Sequence, residues 1–121
     1  MMEEVIDSTT QAEFPAPPIA GNSLLAPIPS WADMYRETQM TRVEFDLFWY
    51  DSVNDGVAYF FRWVGEPRCT VLVVWNDAGP THIECRKVGD ELASQLEAAL
   101  IVAEVNRLFE SRRSTPDERA H

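Results

Sequence analysis

The chain of 121 residues has one lysine, two histidines, two cysteines and five glycines, and each scarcity excludes something. With only His82 and His121, and no H-x-x-x-H or C-x-x-C spacing, there is no ligand set for a metal centre. Cys69 and Cys85 alternate in face with His82 along the strands that carry them, which argues against a thiol nucleophile paired with a histidine. The glycines form no rich run, so a phosphate-cradling loop is missing. Asp51, Asp55 and Asp77 fall in turns without the spacing of a calcium loop. Basic side chains are outnumbered, 10 against 20 acidic ones, for a formal net charge of −10. That disfavours nucleic acid and anionic membranes, both of which need a basic stripe. No apolar run approaches a membrane span, and the start Met1-Met2-Glu3-Glu4 lacks the apolar segment of a secretory signal. The expectation is a cytoplasmic protein with free thiols and no cofactor.

What is present is apolar. Hydrophobic residues make up 45% and aromatics 11%, enough for one packed domain. Residues 1–29 hold five of the eight prolines and no lysine or arginine, which predicts an acidic, mobile, proline-rich arm. Leu24, Leu25 and Ile28 are the residues of this arm suited to docking. Ser30 with Asp33 three positions on predicts a helix start, with Trp31, Met34, Tyr35 and Thr38 on its packing face.

From 42 to 87 the period-two pattern predicts four strands in a row. Val43, Phe45, Leu47 and Trp49 share one face in the first; Val57, Tyr59, Phe61 and Trp63 share it in the second. Val71, Val73 and Trp75, then Ile83 and Cys85, continue it. Asn54-Asp55-Gly56 suits the first hairpin turn, in a register that sets Trp49 opposite Val57 and Glu44 opposite Arg62. That ion pair is a better reading of Glu44 and Asp46, about 7 Å apart on one face, than a glycosidase carboxylate pair. Val71 to Trp75 is almost continuously apolar, as in a central strand buried on both sides. Gly89-Asp90 predicts the start of a long helix, Glu91 to about Arg112. Its apolar residues form two stripes: Leu92, Leu96, Ala99, Leu100 and Ala103, and on nearly the opposite side Ala98, Ile101, Val102, Val105, Leu108 and Phe109. Two stripes mean two contacted surfaces.

The predicted fold is α+β: a four-stranded antiparallel meander with a short N-terminal and a long C-terminal helix, in two layers. The domain spans 30–113, followed by a polar tail, 114–121. Two helices of about 10 Å width cannot cover both faces of a sheet about 19 Å wide. The uncovered face would hold Phe48, Phe60, Leu72 and Val74, rimmed by Glu44, Asp46, His82 and Glu84. Ile101, Val105, Leu108 and Phe109 on the long helix join the candidate protein-binding residues. The expected function is that of a non-catalytic, acidic protein-binding module of the inhibitor, immunity or anti-defence kind, blocking a basic, nucleic-acid-contacting site on a target protein. A homodimer is the expected assembly. The alternatives are a dimeric secretion-type chaperone and a small-ligand or enzyme-subunit domain.

Overall fold

Val71, Leu72 and Val73, three consecutive residues with no solvent exposure, mark the centre of the sheet. In the computed structural model, which describes residues 13–119 of the backbone and side chains as far as Arg112, β1 (Leu25–Pro27) is followed by α1 (Trp31–Thr41) and α2 (Leu47–Asn54). Then come β2 (Ala58–Trp63), β3 (Cys69–Asn76), β4 (Gly79–Lys87), β5 (Glu91–Leu92) and α3 (Gln95–Arg119). The class is α+β and the sheet is an antiparallel meander in the order β1-β2-β3-β4-β5. It has five strands, one more than the sequence pattern predicts.

Strands β2 to β4 carry the predicted faces. Phe61, Val71 and Cys85 lie side by side across the ladder, and so do Phe60, Leu72 and Glu84. The odd-numbered face packs on Ile101, Val105 and Phe109 of α3. The even-numbered face packs on Phe14, Ile28, Met34, Val43, Phe45 and Val53. Elements therefore sit on both faces of the sheet, giving three layers where two were expected. A short φ-positive step at Gly79 lets Phe109 approach: a Cβ there would stand 2.9 Å from its ring.

The largest difference from the sequence pattern is at 42–54. Alternation is real in the segment 43–46, where Val43 and Phe45 are buried and Glu44 and Asp46 exposed. The segment finds no strand partner, however, and Asp46 (φ −61°, ψ 151°) leads into α2. The predicted register of Trp49 on Val57 and Glu44 on Arg62 is therefore not formed. The place beside β2 is taken by β1, with Ala26 opposite Arg62 and Leu25 opposite Trp63.

Strand β1 comes from the proline-rich arm. Pro27 is tolerated because an edge strand can turn a missing amide outward. The Asn22 side chain accepts from the Leu24 and Leu25 amides at 2.9 and 2.8 Å, and Gly21 (φ +76°) lies where a Cβ would collide with the Leu25 carbonyl. The Ile28 amide donates to the Phe60 carbonyl at 2.9 Å. Phe14, Ile19, Leu25 and Ile28 are all core residues. Burial of those four side chains stabilises the docking by roughly 1.5–3 kcal/mol each. The expectation of a mobile arm is thus corrected for 13–29; residues 1–12 lie outside the described residues.

Ser30 caps α1 as predicted, its hydroxyl oxygen accepting from the Asp33 amide at 3.2 Å. The buried face, however, is Met34, Glu37 and Thr41, while Tyr35 is exposed. The rotation brings the Glu37 carboxylate to Arg68, which donates at 2.7 Å, and to the Thr70 hydroxyl. Helix α3 begins at Gln95 and not at Glu91, because Ser94 and Glu97 form a reciprocal capping box: Glu97 amide to Ser94 hydroxyl at 3.1 Å, Ser94 amide to Glu97 carboxylate at 2.9 Å. Gly89 and Asp90, both with positive φ, turn the chain from β4 into β5 instead of capping the helix. At its other end α3 continues to Arg119, through most of the predicted tail.

Candidate functional site

Covering of the even-numbered face overturns the open surface that the sequence pattern predicts. Phe60 and Leu72 are 1% and 0% exposed, beneath α1, α2 and the arm. Val74 is half-buried against the same cluster. Ile101, Val105 and Phe109 belong to the opposite core, with Leu108 packed against it. These seven pack into the chain's own two cores.

Glu84 is half-buried and accepts from Arg86 at 2.6 Å. Arg86 reaches Asp90 at 3.2 Å and lies 5.4 Å from the Phe45 ring centre. Its guanidinium is held above the ordinary arginine range by these two carboxylates, against the opposing effect of burial. Burial and charge are thus internally matched there. His82 is stacked on Trp49 at 6.1 Å.

Glu44, Asp46 and Phe48 remain exposed. They lie by a groove of about 560 Å³ between α1 and the first turn of α2. Its floor is aromatic: Trp31 stacks on Tyr50 with ring centres 4.9 Å apart and planes 14° from parallel. Met34 and Phe45 close the bottom, and Tyr35 and Leu47 form the two lips. Leu47 is 79% and Tyr35 62% exposed. Burial, and then the Glu44 carboxylate, push the Tyr50 phenol above its ordinary range. Among the described residues neither the Glu44 nor the Asp46 carboxylate has an ion-pair partner. Arg36, the basic side chain of α1, is engaged with Asp33 at 2.6 Å.

The local causes are legible in the backbone. Arg42 adopts a left-handed conformation (φ 61°) that ends α1, its amide donating to the Thr38 carbonyl. The extended stretch that follows buries Val43 and Phe45, which forces Glu44 and Asp46 to the outside. Sequence reasoning found the two carboxylates and missed Tyr35, Leu47 and Tyr50 as their companions. The signal available for Tyr35 was its helical spacing after Ser30. None existed for Leu47 and Tyr50 while that stretch read as a strand.

Two further features bear on chemistry. The thiols of Cys69 and Cys85 are buried and raised by that burial, Cys85 to about 12. Among the described residues no three His, Cys, Asp or Glu side chains gather to hold a metal ion, and no helix is long and apolar enough to cross a membrane. A separate apolar surface lies on the outside of α3, where Leu96 and Leu100 are 85% and 67% exposed beside Ala99 and Ala103. Leu92, predicted to continue that stripe, pairs with Arg86 in the ladder and so points to the other face of the sheet. Compared with protein-family models, with curated proteins and with solved structures, the chain matches none.

Proposed function

We propose that this chain is a non-catalytic, acidic protein-binding module that receives a basic segment of a partner protein in the groove between α1 and α2. The observation carrying this reading is a pair of exposed carboxylates, Glu44 and Asp46, without ion-pair partners among the described residues, at the mouth of a groove floored by Trp31 and Tyr50. An arginine or lysine stem lies favourably on aromatic faces while its cationic head meets a carboxylate. The Tyr35 and Leu47 lips add apolar area around that contact. A net charge of −10 steers a basic partner towards the molecule. Such a module suits the inhibitor, immunity or anti-defence class, whose members occupy a basic, nucleic-acid-contacting site on a target.

The reading is tested by titrating the protein with an arginine-containing peptide and following tryptophan fluorescence. Binding is expected to weaken steeply between low and physiological salt. The double variant Glu44→Gln with Asp46→Asn is expected to lose roughly 1–3 kcal/mol of binding free energy. Unchanged affinity in that variant, or affinity indifferent to salt, counts against the groove.

A further inference from the structure

We infer that the outer face of α3 docks against the same face of a second copy of this chain, the two helices running antiparallel. Ile101, Val105 and Phe109 point into the molecule's own core. At about 100° per residue, Leu96, Ala99, Leu100 and Ala103 fall on the side of the helix facing away from it. All four are exposed. Most isolated surface leucines need no explanation; two leucines a turn apart, with alanines beside each, are a contiguous strip on a regular helix.

The strip is complementary to itself. Small residues let two helix axes come close, and a large residue needs a small one opposite. With a two-fold axis passing between positions 99 and 100, Leu96 of one copy faces Ala103 of the other, and Leu100 faces Ala99. Each contact then occurs twice, as a two-fold interface requires. A parallel pairing would set leucine on leucine and alanine on alanine, leaving gaps. Charge agrees with the antiparallel choice. Beyond Ala103 the same side of the helix carries Arg107, 62% exposed and bonded to Glu104 of its own chain, and in the antiparallel pair it comes level with position 92, just before the other copy's helix. Glu91 and Glu97 stand at that end, sharing the single lysine, Lys87, at 4.0 and 3.1 Å. The opposed helix dipoles favour the same orientation. Because the helix begins at Gln95, the two helices overlap about this axis over residues 95–104 of each copy, about 15 Å of length, with the four side chains at the centre of the contact. The interface is separate from the α1–α2 groove and does not depend on it.

Sedimentation equilibrium at tens of micromolar protein is expected to give twice the 13.8 kDa chain mass. Leu96→Glu with Leu100→Glu, both at exposed positions, is expected to give a single-chain mass with an unchanged melting curve, the dissociation constant rising by roughly a hundredfold or more. Orientation is read with a short bis-maleimide. Ala99→Cys, next to the axis, is expected to cross-link into dimers. Arg107→Cys is not, since its two copies stand about 22 Å apart along the helices. The native cysteines are buried and do not compete. A single-chain mass for the wild type, a dimer surviving the double variant, or cross-linking through Arg107→Cys in place of Ala99→Cys overturns the inference. So does a strip that captures a different protein while the wild type stays a single chain.

Discussion

Burial decides the chemistry of single residues in this molecule. Cys85 faces α3 from the middle of β4, and loss of hydration, with Cys69 and Glu84 nearby, pushes its thiol to about 12. A thiol needs its thiolate form to react, and burial disfavours that form at both cysteines. Native protein at pH 8 is expected to leave Ellman's reagent unreacted, both thiols appearing only when a denaturant is added. Rapid labelling of one cysteine in the folded state would contradict this placement. Glu104 shows the opposite effect. Hydrogen bonds from Arg107 at 2.7 and 3.0 Å and from Asn22 at 2.7 Å hold its carboxyl down at about 2. Because the folded value lies below the ordinary carboxylate range, the contact stabilises fully above about pH 5 and is lost as pH falls towards 2. The site is near the surface, so the stabilisation amounts to no more than about 1 kcal/mol. Urea unfolding of Glu104→Gln against wild type is expected to show that gap at pH 7 and its disappearance near pH 2. A gap independent of pH would mean that packing, and not charge, is what the substitution removes.

Among the elements, β3 is the one whose sequence states its position outright. Its unbroken apolar run requires cover on both sides, and both sides are covered. Leu72→Glu is therefore expected to be as damaging as Val73→Glu, each placing an unpaired charge in a dry core at a cost of several kcal/mol. Far-UV circular dichroism of the two variants at 25 °C checks this; a Leu72→Glu protein that melts like wild type would restore the idea of an open face. The faces of β2 to β4, the Ser30 cap and the two stripes of α3 were equally legible, because each rests on periodicity or capping within a few residues. Helix α2 and strand β1 were not. Val43 to Trp49 alternates like a strand, yet strand formation needs an edge to pair with, and Leu25–Pro27 occupies the edge of β2. Three residues containing a proline carry almost no local strand signal; only tertiary contact selects them. The start of α3 was misplaced for a simpler reason, since Ser94 with Glu97 is a stronger cap than Gly89-Asp90. For the candidate site, the exposure of Glu44 and Asp46 followed from alternation. The groove beside them depends on how α1 and α2 pack, and that no single segment encodes.

At the level of the whole molecule, an excess of ten negative charges acts on the folded state as well as on its partners. Folding gathers those charges from an expanded chain into a domain of roughly 14 Å radius of gyration, so their mutual repulsion opposes folding. The ion pairs oppose that effect. Most sit at the surface, as Arg36–Asp33 and Arg107–Glu104 do, where each contributes only a few tenths of a kcal/mol and is itself screened. One exception is Glu37, 1% exposed and held by Arg68, a contact that salt reaches poorly. Adding salt thus weakens many small attractions and one larger repulsion. The repulsion wins in this comparison: moving from about 10 mM to 150 mM sodium chloride at pH 7 shortens the screening length from about 30 to 8 Å and is expected to raise stability by roughly 1–2 kcal/mol. Thermal unfolding should accordingly shift upward by about 5 °C. The same addition should weaken capture of a basic peptide in the α1–α2 groove, so that stability and binding move in opposite directions along one salt titration. A melting temperature that falls with salt would show that the surface pairs outweigh the net charge, and that the acidity of this chain is balanced locally instead of being held in reserve for a partner.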